Sequence, residues 1–399
     1  MTNNNQEPPK FMQGAVYDSH TRLWTIKNDI AIPEITANEV LLKVDLCGVC
    51  GTDRKKILYN LKSGPRIFGH EIVGTIVRTG FNVNQFQTGE KVVIFHHVPC
   101  ENCEFCEQRM FAQCATYQSI DTSAGFGEPS GGGFAEYIRI PNLVVQKGII
   151  KIPTEISWEE AVNIEPLDCA LKGVQKAKIN EKDTVAVIGM GFFGHLISQL
   201  CHYCKAKTIY PVDISEQRFS VPCRSPEVFL KQVEHGQHLS SPNKVFVAVA
   251  NMGAILTAMQ GVQPRGTVIL MQDLIPENEI LNRLSHHEIS FNVEYKKQSE
   301  NIKTKVFDSL PGTEITLHLP DVRISDDDMF LKILKLIAQK KLFVISSYSS
   351  SGTGHLAATL MFQKLVDISK IMQETRYISL ANLPEIINIP GQKHVIKYD

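Results

Sequence analysis

Apolar positions fall into two textures along the chain. In the first third they come as short β-branched runs, EVLLKVDLCGV (39–49) and EKVVIFHH (90–97), punctuated by Gly, Pro and Asn. GGGFAEYIRIP (131–141) reads as a glycine turn leading into another strand. From about residue 157 the period changes. SWEEAVNIEPLDCALKGVQKA (157–177) has helical spacing, and Ser157 followed three residues on by Glu160 is a capping-box start. TVAVIGMGFFGHLISQLCHYC (184–204) then reads as an apolar strand, a glycine turn and an apolar helix. TIYPVD (208–213), KVFVAVAN (244–251) and GTVILMQ (266–272) are further strands with helical segments between them, the pattern of a parallel α/β sheet.

Past residue 295 the pattern weakens. Residues 296–328 are polar and irregular and read as an insertion or a surface loop. MFLKILKLIAQKKL (329–342) has the spacing of an amphipathic helix, SSYSSSGTGH (346–355) reads as a loop, and HVIKYD (394–399) reads as a short strand returning to the first domain. There is no internal repeat.

A chain of 399 residues has the length of two domains, or of one large one. Its 43% hydrophobic and 21% charged content is that of a soluble globular protein, and a net charge of -1 argues against a nucleic-acid partner. The opening MTNNNQEPPKFMQG lacks a basic segment followed by an apolar run, and no apolar stretch is long enough to span a bilayer. The expected setting is the cytoplasm. Thiols stay reduced there, so clustered cysteines point to metal binding or catalysis.

One such cluster is CENCEFCEQRMFAQC, with Cys100, Cys103, Cys106 and Cys114. Four closely spaced thiolates form a closed tetrahedral zinc shell that leaves no position for water or substrate, so this site reads as structural. A disulfide pair or unlinked core cysteines fit the spacing and the reducing compartment poorly. A second, open site is assembled from scattered segments. CGVCGTD offers Cys47 and Cys50, FGHEIVG offers His70 and Glu71, and NIEPLD offers Glu165. Cysteine, histidine and carboxylate together are the mixed ligand set of a catalytic zinc with one position open.

Gly189, Gly191 and Gly194 form G-x-G-x-x-G between an apolar strand and an apolar helix. In that context the glycines allow a tight turn and close approach of a pyrophosphate to the helix N-terminus. Asp213 ends the next strand at about the 20-residue spacing expected of the carboxylate that accepts from ribose hydroxyls. It predicts NAD over NADP. Arg218 follows closely and reads as a solvated helix residue.

The segments GVCGTD, FGHEIVGTIVRTG, GEKVV, the four-cysteine array, GGGFAEYIRIP, EPLDCALKGV and VAVIGMGFFG occur in this order over about residues 35–275. In them the chain resembles the zinc-dependent medium-chain alcohol and polyol dehydrogenases of the sorbitol and threonine dehydrogenase type. The resemblance implies a GroES-like β-rich catalytic domain over 1–166 and 340–399, and a Rossmann doubly wound parallel sheet over 167–339. It implies two zinc ions per chain: a catalytic one on Cys50, His70 and Glu165, and a structural one on the four cysteines. Glu71 approaches the catalytic ion when a ligand exchanges, Thr52 takes the proton from the substrate hydroxyl, and Asp53 fixes the His70 ring. Cys47 becomes a buried bystander. Many members have histidine two residues after this aspartate as the proton exit, and here Lys55 stands there.

The implied activity is hydride transfer from a secondary alcohol (a polyol, sugar or cyclitol) to NAD. The alternatives are a biosynthetic ketone or aldehyde reductase of the same family, and a non-catalytic nucleotide-binding relative. The implied partner is a small alcohol or ketone, with no nucleic acid and no membrane. A homodimer or homotetramer is expected, with GTVILMQ as the sheet edge that pairs. Four features read as ordinary structure: Cys201 and Cys204 in CHYC as helix packing, His96 and His97 as a strand-end pair, and His286 with His287 as lacking a metal partner. SSYSSSGTGH lacks the G-x-S-x-G elbow of a serine nucleophile.

Overall fold

The computed structural model describes residues 8–58, 64–96, 98–108, 111–116, 131–218, 220–234, 241–271, 279–287, 289–296, 301–320, 329–347, 354–389 and 392–398. His97 and residues 348–353 of the expected serine loop lie outside them. The chain divides into two compact units, Met1–Asp168 with Ser351–Leu365 and Met372–Asp399, and Cys169–Ser350 with Val366–Ile371. The expected return at residue 340 is therefore placed too early. Phe343–Ser346 pairs in register with Thr267–Leu270, and that pairing keeps it in the second unit.

The first unit is built on the ten-residue strand Val40–Val49, which has three neighbours. It pairs antiparallel with Glu71–Thr79, with Tyr137–Ile140 and with the C-terminal strand His394–Lys397. Arg376–Ile378 lies outside the last of these, and Lys91–Ile94 and Ile149–Lys151 extend the other side. A separate sheet holds Leu23–Ala31, Phe11–Asp18 and Pro65–Arg66. Leu41, Leu42, Phe68, Ile72, Ile76 and Phe134 fill the core between these strands at under 2% exposure. The register of Val40–Val49 on Glu71–Thr79 shifts twice, after Leu41 and after Val44. Those shifts place Gly48 opposite Glu71.

The expected single helix over 157–177 is two. Ser157 makes the full capping box with Glu160, which stabilises a helix start by about 1 kcal/mol. The helix it starts, Trp158–Ala161, ends after one turn. There the Asn163 amide donates to the Glu159 carbonyl at 2.7 Å, and Ile164–Ala177 follows as a separate helix.

The second unit holds a seven-stranded sheet. Its order is Thr208–Val212, Thr184–Ile188, Lys244–Val247, Thr267–Leu270, Phe343–Ser346, Ser290–Lys296 and Glu314–Pro320. The first five strands are parallel. After Asp213 the short strands Gln217–Arg218 and Val221–Pro222 pair antiparallel, and Arg224 makes a parallel bridge to Val212 of the sheet. Arg218 therefore lies in a short strand, not on a helix.

Two expectations change here. Part of the polar segment after 295 is sheet. Ser290–Lys296 meets Phe343–Ser346 antiparallel, the helix Ile302–Asp308 follows, and Glu314–Pro320 pairs parallel with Ser290–Lys296. Residues 321–328 are outside the described set. GTVILMQ supplies an interior strand, since Thr267–Leu270 is hydrogen-bonded on both sides, and so offers no edge for pairing. The helix Met329–Lys340 buries Phe330, Ile333, Leu334, Ile337 and Ala338, the spacing of one apolar face.

Candidate functional site

Cys50 ends the central strand region of the first unit, and the helix Gly51–Leu58 begins after it. This turn places the thiol near the start of the helix, and the Thr52 N–H donates to Cys50 Sγ at 3.4 Å. Asp53, fully buried, accepts the Cys50 N–H through Oδ2 at 3.1 Å and faces His70 Nδ1 through Oδ1 at 3.2 Å. Burial works against the Asp53 charge, but His70 and then Lys56 outweigh it and hold the carboxyl below its ordinary range. Asp53 thus ties the cysteine turn to the histidine ring, the arrangement that orients a metal-ligating imidazole.

Glu71 is reached across the ladder. Its partner is Gly48, where a Cβ would fall 1.8 Å from Glu71 Oε2, so only glycine leaves room for the carboxylate. Cys50, His70 and Glu71 offer sulfur, imidazole nitrogen and carboxylate oxygen within 4.8 Å of one another. Three donors of this kind fit a zinc ion with one position left open.

Glu165 does not join that group. It sits at the start of Ile164–Ala177, buried, with Oε1 3.9 Å from His96 Nε2. Burial pushes its carboxyl up to about 8 against the pull of His70, and Glu71 and Asp168 push the same way. The structure therefore brings Glu71, not Glu165, beside Cys50 and His70. The sequence order of the ligands gave no hint of this, because it follows from the Gly48–Glu71 register.

Two residues of this site were not singled out from the sequence as part of it. Lys393 is 3% exposed and forms an ion pair with Glu71. His96 is 2% exposed and stands edge-on to His70, with ring centroids 5.0 Å apart. His96 had a weak signal in its place beside the cysteine lobe, whereas Lys393 had none, being 322 residues from Glu71. Lys55 and Thr52 are half-buried on the short helix. Cys47 is fully buried among Gly69 and Gly133, and burial pushes its thiol well up, as suits a core residue.

The second cluster gathers Cys100, Cys103, Cys106 and Cys114 within 4.8 Å. Cys103 Sγ is 3.5 Å and Cys100 Sγ 3.9 Å from Cys106 Sγ, and the Cys100 N–H donates to Cys114 Sγ at 3.4 Å. Four thiols so placed fit a closed zinc shell. Lys147 fastens the lobe to the body by pairing with Glu101 at 2.5 Å.

In the second unit Gly189 has φ +91°, and a Cβ there would meet Val249 at 2.4 Å. A Cβ on Gly194 would lie 1.9 Å from the Gly189 carbonyl oxygen, so strand end and helix approach as closely as backbone allows. Gly191 caps the helix Phe192–Tyr203 and has open space around its Cα. That space at a helix N-terminus suits a pyrophosphate. Asp213 accepts the Met190 N–H through Oδ2 at 2.7 Å and the Ser215 N–H through Oδ1 at 2.9 Å. It pins the glycine turn and leaves lone pairs for further donors.

Cys201 is buried on Phe192–Tyr203 and Cys204 is the residue that ends it, as packing predicts. His287 is in contact with Arg283 through Nε2. The side chain of His286 lies outside the described residues. Among the described residues no helix is long and apolar enough to cross a membrane.

The first unit carries a β-rich sheet with two metal-capable clusters, and the second a mostly parallel sheet with a glycine turn. In comparison with known proteins, residues 36–154 match the alcohol dehydrogenase GroES-like domain. Sorbitol dehydrogenase of Bacillus subtilis (strain 168) is 28% identical over 68% of this chain and 78% of its own length. Galactitol 1-phosphate 5-dehydrogenase of Escherichia coli (strain K12) is 33% identical, and that match spans 48% of this chain and about half, 53%, of the relative. In fold, the alcohol dehydrogenase of Thermus sp. ATN1 aligns with a TM-score of 0.68 at 18% identity, covering 97% of this chain and 99% of that one. The chain thus carries an alcohol dehydrogenase GroES-like domain and is similar over about two thirds of its length to a sorbitol dehydrogenase.

Proposed function

We propose that this chain is a zinc- and NAD-dependent dehydrogenase that oxidises a secondary alcohol of the polyol or sugar type. The observation that carries the reading is the Cys50, His70 and Glu71 donor set, three ligand atoms within 4.8 Å of one another, with His96 packed against His70. When bound there, zinc supplies Lewis acidity to a hydroxyl oxygen, and NAD supplies the hydride acceptor.

The chain's own residues do the rest. Cys50, His70 and Glu71 hold the metal, Asp53 fixes the His70 ring, and Lys393 keeps the Glu71 carboxylate in place across Gly48. Thr52, two residues after Cys50, would relay the hydroxyl proton, taking it up as its own hydroxyl proton passes on to solvent. Gly189, Gly191 and Gly194 admit the pyrophosphate, and Asp213 accepts from the adenosine ribose hydroxyls, which favours NAD over NADP. The relatives named for sorbitol and for galactitol 1-phosphate support the polyol class.

Elemental analysis combined with a screen of secondary alcohols and polyols for NADH formation tests this. Two zinc ions per chain with turnover of a polyol is the expected result. Two zinc ions without turnover of any alcohol rules out the substrate class.

A further inference from the structure

His96 stands where the sheet gives way to the cysteine lobe. Phe95, just before it, donates its N–H to the Gly148 carbonyl at 2.6 Å, and Val98, just after it, donates to the His96 carbonyl at 2.9 Å. Its backbone is therefore held on both sides, by the sheet and by a tight turn. The ring is 2% exposed, and two of its neighbours bear on the metal site. One is His70, met edge-on at 5.0 Å with the ring planes 73° apart. The other is Glu165, whose Oε1 is 3.9 Å from His96 Nε2, with both side chains at or under 4% exposure.

A buried carboxyl group needs a hydrogen-bond partner, and it is costly to leave unpaired. Glu165 lies close enough to the Cys50, His70 and Glu71 group to feel the charges of His70 and Glu71, yet it is outside the group. We infer that His96 is a positioning residue for the open metal site: its Nε2 holds Glu165 aside, so that Glu71 alone supplies the carboxylate of the donor set, and its ring steadies His70. This rests on the function proposed above. It assigns to His96 an outer-partner role of the kind Asp53 has for His70, but directed at selecting between two acidic residues. Asp53 and His96 bracket the His70 ring from different elements, one from the short helix after Cys50 and one from the end of Lys91–Ile94.

Two substitutions separate the ring from its polar edge. His96→Phe keeps an aromatic ring against His70 and removes the nitrogen that faces Glu165. His96→Gln keeps an amide nitrogen near the position of Nε2 and removes the ring. The full-length protein is loaded with zinc, and the ion that leaves first to a colorimetric chelator is followed, with the four-cysteine zinc as internal reference. Cobalt-substituted protein is followed in parallel by its visible absorption. His96→Phe is expected to weaken retention of the open-site ion by about 10–100-fold, the usual consequence of losing an outer partner, and to alter the cobalt spectrum. His96→Gln is expected to stay near the wild type. Glu165→Gln removes the carboxylate that His96 holds aside, so on its own it should stay near the wild type, and combined with His96→Phe it should restore most of the lost retention.

Unchanged retention and an unchanged spectrum in His96→Phe overturn the inference. So does a loss in His96→Gln as large as in His96→Phe, which reduces His96 to packing. If His96→Phe fails to fold, a loss of retention of about tenfold or more in Glu165→Gln alone overturns it instead, because Glu165 would then be needed by the site rather than held aside. A wild-type protein that holds only the four-cysteine zinc overturns the proposed function, and this inference with it; failure of the inference alone shows only in the variants.

Discussion

The ammonium of Lys393 and the carboxylate of Glu71 meet in the interior of the first unit, at 3% and 1% exposure. Lys393 also reaches the Val49 carbonyl, at 3.5 Å, one residue from Cys50. The C-terminal strand thus carries a cation to the side of the metal donor set. Removing one partner of a buried ion pair leaves the other charge uncompensated, at a cost of about 3–5 kcal/mol. Lys393→Met should lower stability toward denaturant by that order and loosen the open-site zinc, while the four-cysteine zinc stays. A denaturation midpoint near that of the wild type, with both zinc ions retained, contradicts this.

The glycine turn gives a prediction in the second unit. Gly194→Ala forces a methyl group to within 1.9 Å of the Gly189 carbonyl oxygen, and backbone cannot yield as a side chain does. Strand and helix must separate, at an overpacking cost of about 1–3 kcal/mol. The dissociation constant for NADH should rise by about 5- to 150-fold if that cost falls on binding, since each 1.4 kcal/mol is a factor of ten. Zinc content should be unchanged. Titration of NADH fluorescence with metal analysis on the same sample checks both halves.

How much of this was legible in the sequence depended on distance along the chain. The four-cysteine lobe, the glycine turn and the apolar face of Met329–Lys340 are local patterns, and the fold realises them within a few residues. The donor set is not local. Glu71 rather than Glu165 stands by Cys50 because two register shifts put Gly48 opposite Glu71, and no spacing in the sequence encodes those shifts. Lys393 and His96 reach the site from other strands for the same reason. Glu314–Pro320 escaped notice because it is an edge strand with only Leu317 and Leu319 buried among its described side chains.

His195 gives a pH dependence independent of metal. It is buried on Phe192–Tyr203, and its Nδ1 has no hydrogen-bond partner among the described residues. Burial, and next the charge of Lys370, hold its pKa below the ordinary 6.5, with Asp367 opposing. As pH falls below about 6.5, the unfolded chain takes up this proton before the folded one, so stability drops until the folded pKa is passed. His195→Gln should flatten the fall in urea midpoint between neutral and mildly acid pH. An identical fall in both proteins contradicts this.

The two cysteine sites should respond differently to loss of a ligand. Cys103→Ser opens the closed shell and should cost folding or thermal stability along with its zinc. Cys50→Ser should leave the circular dichroism and thermal midpoint close to wild type and remove the other zinc. Equal destabilisation by both changes would show that the open site is structural as well.

The most direct test of the account is NADH formation from a panel of polyols by the wild type and by Cys50→Ser, with zinc counted in each. The account predicts two zinc ions and NADH formation from at least one polyol in the wild type, and one zinc ion fewer with no NADH formation in a folded Cys50→Ser. Polyol oxidation by Cys50→Ser at the wild-type rate would contradict it.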